Sequence, residues 1–251
     1  MKKTCAQLKD AARDALLGHY SILIATMIVT EIITLILQLP FSQMLNTGLT
    51  YRVPSRVILG YAGMMIVLLV SILINVGISY IHLQISRNRT VHFSDLLYGC
   101  KYRPDRYIGY GILLILIIFA CITPGMICIL IASFQSLTKM LLLSIVGIVL
   151  TLAGSILYVI LMLGFSQAIY LLIDHASLRV VDAMGTSMNY MKGNKWRLFK
   201  LYLSFIGWML LALLTLGIGY LWIQPYCSQS ITQFYLDVTV SPQQKSEYST
   251  Y

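Results

Sequence analysis

The chain has 251 residues, of which 58% are hydrophobic and only 11% charged, with a mean hydropathy of +0.80. A water-soluble fold carries about 25% charged residues to wet its surface, so the composition excludes a soluble globule and leaves a membrane domain. The net charge of +9 does not point to nucleic acid. The basic residues flank apolar blocks instead of clustering as a groove-binding patch.

In chain order, Cys5, Leu8, Ala12, Ala15 and Leu16 recur at helical spacing opposite Lys9, Asp10, Arg13 and Asp14, the pattern of a short amphipathic helix in the interface. This charged start is not a cleavable signal, because the apolar run begins only near Tyr20 and is too long for one. Five apolar blocks follow, at 20–39, 57–81, 107–131, 139–173 and 198–224. A span needs roughly 20 apolar residues to cross a ~30 Å hydrocarbon core. Lipid cannot satisfy backbone polar groups, so the blocks are expected as helices; they lack the alternation of barrel strands.

Two blocks are irregular. The third contains Thr123-Pro124-Gly125, where proline should kink or end the helix. The fourth would span ~52 Å at ~1.5 Å per residue, so it either protrudes or breaks near Gly147 or Gly154. A sixth crossing within 126–173 is the alternative to five. Beyond them, Leu178, Val181, Met184, Met188 and Met191 line one face of 177–192, with Arg179, Asp182 and Asn189 on another and Gly193 as a helix-ending residue. That segment is expected to lie flat on the cytoplasmic leaflet as an elbow. After Pro225, the residues Cys227, Ile231, Phe234, Tyr235 and Val238 form a third apolar stripe. Residues 1–240 read as a single membrane domain and 241–251 as a disordered tail.

Orientation follows from the basic residues. Segments 1–19, 82–106 and 174–200 hold four, five and five of the 18 lysines and arginines, and the opposite side holds Arg52, Arg56, Lys139 and Lys245. The positive-inside rule places the N-terminus in the cytoplasm and, after five spans, the C-terminus outside. Trp196 and Trp222 fit interfacial aromatic belts.

Chemistry-bearing patterns are sparse. The five cysteines show no metal-type spacing and read as inert thiols. His19, His82, His92 and His175 fall at membrane borders without a carboxylate at metal spacing. No nucleophile elbow and no P-loop occurs. Gly60-Tyr61-Ala62-Gly63 reads as close helix packing. The one charged side chain deep in a block is Glu31. It shares a face with Thr30, Thr34 and Gln38, while Ser71, Asn75 and Ser79 make a polar stripe on the second block at a matching depth. Glu31, Thr34, Ser71 and Asn75 are therefore the candidate intramembrane polar site, with a protonated Glu31 as interhelical hydrogen-bond anchor the leading reading and an ion- or substrate-facing role the other.

The run Asp174…Ser187…Met191-Lys192-Gly193-Asn194-Lys195-Trp196, then Gly207-Trp208, Thr215-Leu216-Gly217-Ile218-Gly219 and Pro225-Tyr226, resembles a bacterial membrane family known as domain of unknown function 975. Phe93-Ser94-Asp95-Leu96-Leu97-Tyr98-Gly99 and Pro124-Gly125-Met126 are similar to it as well. The chain departs from the family in lacking a proline after Asp174 and in a longer stretch between Pro124 and Phe165. The family is distantly similar to membrane domains attached to glycerophosphodiester phosphodiesterases. The resemblance implies a bacterial cytoplasmic membrane location and no particular activity.

The expected fold is thus an all-α membrane bundle of five helices, or six, with short amphipathic interfacial helices. The expected function is non-enzymatic: scaffolding, envelope maintenance or assistance to a partner membrane complex. The rivals are a small transporter or permease subunit using Glu31 and the Asn75 stripe, although no internal repeat is visible, and a lipid-processing enzyme, for which Asp95, Asp105, Asp174 and Asp182 share a side without forming a constellation. Anionic lipids are expected partners at the basic segments; no cofactor, metal or nucleic acid is expected.

Overall fold

The structure, a computed structural model, describes residues 2–239; the tail expected at 241–251 lies outside the described residues. Described elements are α1 (Cys5–Leu16), α2 (Tyr20–Thr50), α3 (Pro54–Ser86), a 3-10 turn at Phe93–Leu97, α4 (Tyr98–Lys101), α5 (Pro104–Ala132), α6 (Leu137–Phe165), α7 (Ala168–Asp174), α8 (Val180–Tyr190), α9 (Lys195–Leu214) and α10 (Tyr220–Thr239). Five helical stretches are long and apolar enough to cross a membrane, as the blocks predict.

α2 and α3 form a long hairpin whose register is fixed by glycines. Gly48 meets Val57, Gly60 meets Leu45, and Gly63 lies under the Phe41 ring, so a methyl group at any of them would force the helices apart. α5 and α6 form a second hairpin on the same principle. Gly125 approaches Thr151 and Gly147, and Gly154 approaches the Cys121 carbonyl. The glycines at which a break in block four is expected are therefore packing sites. Pro124 does not end α5 either; helix packing of this kind is what lets spans tolerate proline. The break falls instead at Ser166–Gln167, between α6 and α7, and no reversal follows it.

α1 and α8 sit at one end of the bundle; α1 buries its apolar face in protein, and α8 buries part of its own while Val181 stays exposed. Thr4 and Gln7 form a capping box that starts α1, and Leu8, Ala12 and Leu16 are almost fully buried against α10, α9 and α3. On α8, Ala183, Met184 and Ser187 are buried, as is Met191 just beyond it. Of the face that suits acyl chains, Met184 and Met191 are thus buried in protein and Met188 is half-buried.

The C-terminal region overturns one expectation. Block five does not run on to 224: α9 stops at Leu214 because Leu216 and Gly217 adopt left-handed φ values of 55° and 88° and the Thr215 hydroxyl accepts from the Gly219 N–H at 2.9 Å. α10 then turns back. Its Asp237 meets Arg197 at the start of α9 and the Lys3 N–H before α1, so Thr239 ends on the same side as Lys3 and not on the opposite side. The third apolar stripe of the sequence is one flank of this returning helix. Along α10, Gln229 reaches His82 and Gln233 reaches the Ser86 hydroxyl one turn further on, so α10 runs parallel to α3. Counting ten residues back from the first of these contacts puts Gly219 about level with Ile72, leaving ~27 Å of α3 beyond the α9–α10 turn.

Candidate functional site

Several polar side chains that bond from one helix to another converge on the end of the bundle where α3, α7, α9 and α10 meet. Arg87, just past the end of α3, holds the Asp174 carboxylate through two parallel bonds of 2.9 and 2.7 Å, and Tyr235 on α10 donates to the same carboxylate at 2.7 Å. A forked guanidinium–carboxylate pair fixes distance and orientation together. Arg197 makes the second clamp. It donates to Asp237 at 2.8 Å, to the Lys3 carbonyl at 2.6 Å and to Asn194 at 3.1 Å, while Phe234 lies under its guanidinium. Lys2 closes the circuit by donating to Asn194 at 3.0 Å.

One to two turns before the clamps, α10 carries a row of buried polar groups. Gln229 pairs with His82 Nδ1 at 2.6 Å and donates to the Ser86 hydroxyl at 2.7 Å. Thr232 pairs with Tyr170 at 3.1 Å, and the Tyr170 and Tyr235 rings stack. Each pairing satisfies a group that would otherwise be stranded away from water. Nearby, Arg106 donates to the carbonyls of His175 at 2.8 Å and Ala176 at 2.9 Å, tying α5 to the loop after α7. On α1, Lys9 donates to the Ser204 carbonyl at 3.1 Å and lies over the Phe205 ring; burial pulls its ammonium below the usual lysine range.

Ser187 has a comparable role at the α6–α7 break. Its hydroxyl donates to the Gly164 carbonyl at 2.7 Å and accepts the Gln167 N–H at 3.2 Å, from a fully buried position. One side chain therefore covers a backbone donor and a backbone acceptor released where the helix stops.

The intramembrane candidates are not drawn into this network. Glu31 is exposed on the outer face of α2 and Thr34 is half-buried. The stripe on α3 is satisfied within its own helix: Ser71 donates to Val67, Asn75 to Ser71 and Ser79 to Asn75. No hydrogen bond among the described residues joins Glu31 to that stripe. Nor do three or more His, Cys, Asp or Glu side chains of the described residues gather as metal ligands.

A shallow apolar trough lies between α6 and α9. It has two adjoining cavities of about 580 and 470 Å³. Lys195 and Trp196 stand at its end nearest the clamps.

The sequence model of the family described as protein of unknown function (DUF975) matches residues 1–241. The chain belongs to this family. No curated protein and no solved structure matches it. Several residues that carry the DUF975 resemblance have structural places. Asp174 and Ser187 hold the junctions just described, Met191 is fully buried, and Gly193 adopts a left-handed φ of 75° after α8. Pro225 is buried, and Tyr226 packs edge-on against Phe205. Gly207 and Trp208 face outward on α9, and nothing in the structure explains them. Sequence reasoning missed Arg87, Gln229 and Thr232 as site residues. The available signal was a 20-residue helix whose glutamines at 229 and 233 stand one turn apart.

Proposed function

We propose that this DUF975 protein is a multi-pass protein of the bacterial cytoplasmic membrane, with Lys3 and Thr239 in the cytoplasm. It acts without a catalytic step of its own, as a scaffold or assistant to a partner membrane complex. The orientation is supported by the basic side chains: Lys2, Lys3, Arg87 and Arg197 belong to the clamp end, whereas Arg52 and Arg56 lie at the α2–α3 turn and Lys139 at the start of α6. The observation that carries the non-catalytic reading is the commitment of the two clamp acids. Asp174 and Asp237 both spend their carboxylates on arginines that fasten helix ends.

The test is complementation of a deletion strain stressed with membrane-active agents. The strain is expected to be sensitised, and expression of the wild-type chain or of Glu31→Gln is expected to restore it. Failure of Glu31→Gln at normal protein level favours the transporter reading. Failure of single substitutions at the exposed Asp105 or Asp182 at normal protein level favours a lipid enzyme.

A further inference from the structure

We propose that the trough between α6 and α9 binds an anionic glycerophospholipid, with one acyl chain along α6 and the phosphate at Lys195. The walls of the larger cavity include Leu152, Ile156, Val159 and Leu163 of α6 and Phe199 of α9. Leu152 and Leu163 are eleven residues apart, about 17 Å. That matches one leaflet, half of the ~30 Å hydrocarbon core.

Charge is confined to one end of the trough. Lys195 lies against Gly164, at the end of α6 nearest the clamps, and Lys200 sits over the Trp196 ring at the same border. Neither lysine forms an ion pair among the described residues, whereas the nearby acids Asp174 and Asp237 already hold arginines. The Ser155 hydroxyl in the larger cavity is also engaged, donating to the Thr151 carbonyl, and in the adjoining cavity, which Tyr158 and Tyr202 line as well, Tyr110 donates to the Phe165 carbonyl and Ser166 to the Leu163 carbonyl. The trough is therefore apolar for a leaflet's depth and cationic at its mouth, which is the shape and charge of an anionic phospholipid. Both volumes fall within the ~300–1,000 Å³ of small-molecule sites. The proposal does not depend on the scaffold reading.

Trp196 reports on the site. In the full chain carrying Trp208→Phe and Trp222→Phe it is the sole tryptophan, and its fluorescence can be read in phosphatidylcholine vesicles with rising fractions of chain-brominated lipid. Half-maximal quenching is expected at a roughly tenfold lower fraction of brominated phosphatidylglycerol than of brominated phosphatidylcholine. Lys195→Gln should close most of that gap. Ile156→Phe, which keeps both lysines and fills the trough, should also narrow it. Equal quenching by the two lipids in the starting protein overturns the proposal. So does a gap that survives Ile156→Phe, because the lipid would then gather at the basic border without entering. Relief of quenching by excess inorganic phosphate would mean a phosphate site without a chain, and overturns it as well.

Discussion

Arg197 and Asp237 stand 40 residues apart in sequence, yet their side chains meet at 2.8 Å, with the aspartate side chain fully shielded from solvent. That contact joins the entry of α9 to the exit of α10 and makes the two helices a closed hairpin. Reporters fused at the two chain ends are accordingly expected on the same face of the membrane. Impermeant thiol reagent added to intact cells should spare the exposed Cys100 until the membrane is opened, and should spare the buried Cys227 even then. An outward-facing C-terminal reporter would sink both the hairpin and the proposed orientation.

The same pair allows a stability contrast. Removing one partner of a buried ion pair leaves an uncompensated charge and costs about 3–5 kcal/mol, so Asp237→Ala should lower the unfolding free energy in bicelles by that order. The Arg13–Asp10 pair has both side chains more than 60% exposed, where such pairs contribute about 0–1 kcal/mol. Asp10→Ala should therefore be nearly silent in the same titration. Comparable losses for the two substitutions would mean that Asp237 is wetter than its packing shows.

Much of this architecture is legible in the residues, and the exceptions share a cause. Hydrophobic blocks announce α2, α3, α5 and α6 because those helices face lipid over most of their surface. α10 escapes that reading because it is enclosed by protein: Gln229, Ser230 and Thr232 are fully buried yet polar, and their partners come from α3, α7 and α10's own backbone. A helix satisfied by neighbours need not be apolar, so hydropathy alone cannot find it. The α9–α10 turn was visible as Thr215-Leu216-Gly217-Ile218-Gly219, but a glycine pair at the end of an apolar block signals helix packing as well as it signals a turn. The helix break fell at Ser166–Gln167 and not at a glycine because the residue that supports it, Ser187, lies on another helix.

Ser187→Ala tests that support. Deleting the hydroxyl leaves a buried carbonyl at Gly164 and a buried N–H at Gln167 without this partner, and each stranded group costs about 1–3 kcal/mol. The expected outcome is a destabilised protein with faster hydrogen exchange at the Gln167 amide, while exchange in the middle of α3 keeps its order. Unchanged protection at Gln167 would show that the break is held by something other than Ser187.

Glu31 is the residue for which the structure changes the expected outcome of a mutation. Read from sequence alone, Glu31→Leu should destabilise by stranding the polar stripe on α3. In the structure, Ser71, Asn75 and Ser79 each bond a carbonyl of their own helix, and Glu31 faces outward from α2. Its Cα lies about 16 Å from Tyr20 along the helix, near the centre of the core, where insertion of an acidic side chain costs about 2.5–3.5 kcal/mol. Replacing it with leucine removes that penalty without abandoning a partner. Glu31→Leu should therefore leave the unfolding midpoint unchanged or raise it, with Glu31→Gln between leucine and wild type. A loss of more than about 1 kcal/mol on Glu31→Leu, the size of a hydrogen bond, would show that the carboxyl holds a partner after all. If instead the leucine variant is as stable as wild type and yet fails to complement a deletion strain, Glu31 is retained for what it does and not for what it holds, and the transporter reading gains over the scaffold.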